Sequence, residues 1–187
     1  MPTYTNSTRI HHLLSLYFAD ESLRFHSTHL HKFFLAAFAE SDEDHQPNIT
    51  RLLHQHNNLL RLLEAAHLLH QHATENPTAV NPNAWQHLKR IRAAVEDWDD
   101  FPSYLHSSEW SQPETVLAEF FAMQSVDEWK DVLHALLQSA IGQGSPFDVL
   151  TEMQMGFVVS GMHRVLDAVW IMWVTSLVLE EESCMIA

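Results

Sequence analysis

The sequence has a single cysteine, Cys184, among 187 residues, so no disulfide can form within the chain. That suits a reducing compartment and excludes a disulfide-stapled secreted scaffold. Glycine is scarce at 4 residues and proline stands at 7, too few turn-formers for a many-stranded sandwich or barrel. Charged residues reach only 18%, against roughly 25% in an average soluble protein. Positive charge is scarcest, with 10 lysines and arginines against 24 aspartates and glutamates, a net charge of −14. Direct nucleic-acid binding is not expected, because phosphates would meet repulsion. The stretch Met1 to Asn6 has neither a basic nor an apolar region of the secretory type, so a cytoplasmic location is expected.

The cations are also unevenly spread. Residues 1–95 hold 8 basic and 8 acidic side chains, whereas residues 96–187 hold 16 acidic ones and only Lys130 and Arg164 to oppose them. Histidine runs the other way, with 12 of 15 before residue 96. An acidic half keeps a protein soluble, and it also speeds encounter with a basic partner.

Hydrophobic residues make up 46% of the chain, enough for one sizeable core, and a single domain over residues 1–187 is expected. Helical periodicity runs throughout, and no stretch alternates strictly enough to argue a strand. Expected helices are 7–18, 21–40, 48–73, 83–98, 112–123, 125–141 and 146–180. Ser111-Gln-Pro-Glu114 and Ser125-Val-Asp-Glu128 read as capping boxes, Ser145-Pro-Phe-Asp148 as a variant, and Asn48 and Asn83 as caps. The fold class is all-α: a single-domain bundle of about six or seven helices with the apolar C-terminal helix at its centre.

That last helix is long enough to span a bilayer, but His163, Arg164 and Asp167 interrupt it and its uncharged part is too short to cross. It reads as a buried helix whose large apolar surface is covered within one chain or shared in a homodimer. The final Cys184-Met185-Ile186-Ala187 fits the prenylation pattern, although Glu180, Glu181 and Glu182 upstream would repel an anionic membrane. Along the helix, Glu152, Gly156, Ser160, His163, Arg164 and Asp167 form one narrow polar band. The band is either the line that reaches water or a cavity wall, in which Gly156, Ser160, His163, Arg164 and Asp167 contact a ligand. Arg164–Asp167 and His163–Asp167 are spaced to pair. His163 with Asp167 has the form of a general base and its orienting carboxylate, yet no nucleophile accompanies them, so no reaction is assigned.

In 48–73, Ile49, Leu52, Leu53, His56, Leu59, Leu60, Leu63, His67 and His70 fall in one stripe, with His54 outside it; in 21–40, His26 falls on the apolar face and His29 at its margin. Inward histidines need partners, either backbone and carboxylates or a metal. Glu64-Ala-Ala-His67 is an E-x-x-H step, the element used twice in carboxylate-bridged di-iron bundles. Asp131-Val-Leu-His134 is a degenerate second, and Glu119 lies between them in the chain. A transition-metal site would therefore draw on His26, Glu64, His67, Glu119, Asp131 and His134. No H-E-x-x-H, C-x-x-C or glycine-rich phosphate loop is present.

The segment Glu96, Asp97, Trp98, Asp99 and Asp100, with Trp110 beyond it, interleaves acidic and aromatic residues. Such a segment can anchor a basic partner or lie on the bundle as a lid. The expectation is a protein-interaction or regulatory module that uses its acidic C-terminal half to bind a basic protein. The alternative is a metal-binding bundle with redox or hydrolytic activity centred on Glu64 and His67.

Overall fold

The computed structural model describes residues 6–18, 21–38, 48–75, 101–148 and 150–186. Among these there are six α-helices and no strand: α1 (Asn6–Phe18), α2 (Leu23–Phe38), α3 (Ile49–Glu75), α4 (Pro113–Met123), α5 (Val126–Ala140) and α6 (Glu152–Ile186). The all-α bundle expected from periodicity is what forms. The expected helix 83–98 and its cap Asn83 lie outside the described residues.

Helix starts follow local chemistry. The Asn48 side chain accepts the Arg51 N–H at 3.0 Å, and the Ser22 hydroxyl accepts that of Phe25 at 3.1 Å, so α2 begins at Leu23 and not at residue 21. Ser125 and Glu128 form a full capping box at the head of α5. The other expected box, Ser111 to Glu114, does not form. A residue before proline is kept out of the α region, so Gln112 sits at φ −143°, ψ 59° and becomes the N-cap, with Pro113 opening α4. Ser111 ends a 3₁₀ turn, its hydroxyl bound to the Ser108 carbonyl at 2.8 Å. Ser145 and Asp148 close only the short turn Pro146–Asp148. The cap of α6 is instead Thr151, whose N–H is taken by Gln154 Oε1 at 2.9 Å and whose hydroxyl accepts the Gln154 N–H.

Gly142 stops α5. At φ 75° it occupies the left-handed region that other residues resist, and this lets two N–H groups turn back onto the last carbonyls: Gly142 to Ser139 and Gln143 to Gln138.

α3 runs beside α1, α2, α4, α5 and α6, and α6 packs on α2, α3 and α4. Along α6 every residue from Val165 to Ile171 is buried, so this helix is indeed central. α2 packs mainly on α5 and α6, and the Ser139 hydroxyl of α5 donates to the Ala37 carbonyl in the last turn of α2 at 2.6 Å. The stretch Glu152–Ser176 is long and apolar enough to cross a membrane by composition, yet most of it lies inside the bundle. α4 and α6 approach closely at Gly161, where a Cβ would stand 3.2 Å from the Phe120 ring. On α3 the buried face is rotated from the expected stripe. Helices on several sides of α3 bury Gln55 and Leu62 as well, while Ile49 and Leu53 in its first turns are left exposed.

Candidate functional site

The polar band of α6 divides in two. Glu152, Gly156 and Ser160 are exposed, and a Cβ at Gly156 would meet nothing within 4 Å. His163 and Asp167 are each 1% exposed, because the chain's own segment 101–112 lies over them. The Tyr104 ring stacks on His163 with centroids 4.1 Å apart and planes 15° apart. The Tyr104 backbone N–H donates to Asp167 Oδ2 at 2.7 Å. Arg164 binds Glu109 in the same segment, and Glu119 of α4 at 3.1 Å.

The pairing along the band therefore differs from the expected one. Arg164 turns to Glu109 and Glu119, not to Asp167, and His163 Nδ1 meets Ser27 Oγ at 3.3 Å, not Asp167. Each group found a partner on another element, where geometry is better than along one helix. Burial pushes Asp167 up to about 6 against the pull of the Tyr104 and Ser103 N–H groups. Burial, helped by His31, pushes His163 down to about 4. Burial alone would raise Glu109, but the His106 backbone N–H and the Arg164 guanidinium hold it below the usual range. His163, Arg164 and Asp167 thus bind the protein's own chain.

The six candidate metal ligands are dispersed. Glu64 pairs with Arg9 of α1, whereas His67 packs edge-on against Phe121 of α4 and accepts the Gln71 amide at 2.9 Å. The two residues of the E-x-x-H step thus reach different neighbours of α3, α1 and α4. Glu119 binds Arg164, Asp131 is exposed, and His26 stacks on Tyr17 with centroids 4.2 Å apart. His134 meets His56 across the α3–α5 contact at 4.7 Å. Burial, and then His134, lower the pKa of His56. Among the described residues no three histidine, cysteine, aspartate or glutamate side chains gather where an ion could sit.

Glu96, Asp97, Trp98, Asp99 and Asp100 lie outside the described residues. Trp110 is half-buried, edge-on to Phe101 at 4.8 Å, within the segment that covers α6.

Two features escaped the sequence reading. One is an exposed apolar group at the start of α6: Phe147 at 61%, Met153 at 74% and Phe157 at 57%. The other is a cavity of about 320 Å³ between α1, α2 and α3. Its apolar wall includes Tyr17 and Phe25, and its polar wall includes His26, His29, Arg51 and Gln55. The signal for the second was in the sequence: Arg51, His54, Gln55 and Asn58 recur at helical spacing as a polar face without a carboxylate. The signal for the first was Met153 and Phe157, four residues apart beside Glu152.

No protein-family model, curated protein or solved structure matches this chain.

Proposed function

We propose that the protein is a cytoplasmic binding module whose acidic second half docks a basic protein. The observation that carries this reading is the group at the head of α6. Met153 and Phe157 project from one face of the helix, Phe147 stands in the turn ahead of it, and all three are more than half exposed. Asp148 and Glu152, both exposed, lie among them in the chain. Aromatic and methionine side chains are the residue types that anchor protein interfaces, and carboxylates around them select a basic partner. The wider surface agrees. Lys130 and Arg164, the two cations after residue 95, are already held by Asp127 and by Glu109 and Glu119. Asp131, Asp148 and Glu152 are exposed and form no ion pair among the described residues. The metal-binding alternative has no arrangement of described residues in its favour.

The test uses a fluorescein-labelled amphipathic peptide of leucine and lysine, read by anisotropy. Binding is expected to weaken at least tenfold between about 50 and about 300 mM NaCl. It is also expected to weaken about fivefold or more in a Met153→Ser/Phe157→Ser variant, as loss of an apolar anchor requires. No binding at low salt, or equal binding by the double variant, overturns the reading.

A further inference from the structure

The cavity between α1, α2 and α3 is sorted by charge. Among the described residues no carboxylate lines it, whereas Arg51 and the imidazoles of His26, His29 and His54 do. A shallower groove shares Phe25 and His29 with it and adds Arg24 and Lys32, again with no carboxylate among the described residues. Glu21 acts on His29 from outside both, opposing burial, Arg51 and Lys32, which together lower its pKa. Arg51 Nη2 lies 3.1 Å from His29 Nε2, and this contact holds the guanidinium beside the cavity.

The walls also have unfilled hydrogen-bonding capacity. His26 and Gln55 are each 7% exposed, and Nε2 of each has no partner. The other His26 nitrogen is engaged by the Tyr17 backbone, which makes Nε2 an acceptor while the Gln55 amide is a donor. Leaving such a group buried and unpaired is costly, and of the two the Gln55 donor is the one that an anionic group entering the cavity can satisfy. Beside them the site offers apolar surface in the ring of Phe25, edge-on to His29 at 3.9 Å, and in the Tyr17 ring, one face of which His26 already covers. The volume of about 320 Å³ falls at the small end of ligand sites, which run from about 300 to 1,000 Å³.

We propose that this cavity binds a small aromatic carboxylate of one or two rings, its ring against Phe25 and its anionic group toward Arg51 and His29. This is independent of the docking of a basic protein at α6, which uses another part of the bundle.

Isothermal titration calorimetry with 2-naphthoate and the neutral 2-naphthamide tests it on the full chain. The carboxylate is expected to bind with a Kd on the order of 100 µM or tighter, and at least about tenfold more tightly than the amide. Arg51→Gln, a change at an exposed position, is expected to remove that preference. In NMR the Gln55 side-chain amide is expected to shift on titration in the unchanged protein. No binding of 2-naphthoate overturns the proposal. So does binding that survives Arg51→Gln undiminished, or binding that leaves the Gln55 amide unmoved.

Discussion

Tyr104 lies flat on His163, 4.1 Å between ring centroids, and gives its backbone N–H to Asp167 one turn further along the same helix. One residue of an irregular segment thus covers two ionisable groups that would otherwise face water. Asp167→Ala removes the acceptor that ties the Tyr104 backbone N–H to α6 and is expected to cost about 1–3 kcal/mol in urea unfolding. Asp167→Asn keeps an acceptor oxygen without the buried charge, so its loss should be smaller. Equal losses for the two would mean that the carboxyl only fills space.

Burial of three ionisable side chains sets a pH dependence. His26 and His163 are pushed from 6.5 to about 4, mainly by burial. A depressed pKa contributes stability that is present above pH 6.5 and lost as pH falls through about 4, at most about 3 kcal/mol for each histidine. Asp167, raised from 3.8 to about 6, works in the opposite sense. Its contribution is full below pH 3.8 and is lost as pH rises through about 6. Two histidines outweigh one aspartate, so thermal unfolding scans should show Tm falling from pH 7 to pH 4.5. Asp167→Asn should steepen that fall and His163→Gln should flatten it; unchanged slopes in both would contradict the assignment.

Ser125 and Ser111 begin the same S-x-x-E pattern with different results. Ser125→Ala removes a formed capping box and should cost about 1 kcal/mol. Ser111→Ala loses only a bond to the Ser108 carbonyl in a 3₁₀ turn and should cost less than half as much. The pair is measured by the shift of the urea midpoint, and a larger effect at Ser111 would show that Gln112 is not the cap.

Two glycines of α6 separate propensity from packing. Gly156 is exposed with open space around it, so Gly156→Ala should stabilise by about 0.5–1 kcal/mol. Gly161→Ala gains the same propensity but drives a Cβ to 3.2 Å from Phe120, whose ring is stacked on Trp129 at 4.1 Å. Its net effect should be destabilising in the same urea assay.

The pattern in these cases separates what a sequence states from what it withholds. Periodicity and caps are properties of one helix, and they gave the bundle, the Asn48 and Ser125 starts, and the inward placement of His26 and His56. Convergence is a property of several helices and has no such signature. Glu64 and His67 share a face in the chain, but one turns to Arg9 of α1 and the other to Phe121 of α4. His163 and Asp167 look like a catalytic pair until Tyr104 is seen between them and water. The Arg51, His54, Gln55 and Asn58 face was visible, but the aromatic wall opposite it depends on how α1 and α2 are set against α3.

The bond from Ser139 to the Ala37 carbonyl joins positions 102 residues apart, and this bears on how the protein is made. On a ribosome adding about 5–20 residues per second, α2 emerges roughly 5–20 s before the helix that completes its last turn. Throughout that interval Leu30, Phe33 and Phe34, buried in the finished bundle, lack the cover of α5 and α6. The nascent chain therefore presents a greasy stripe to chaperones, and a premature stop before α5 yields a sticky fragment instead of a smaller bundle.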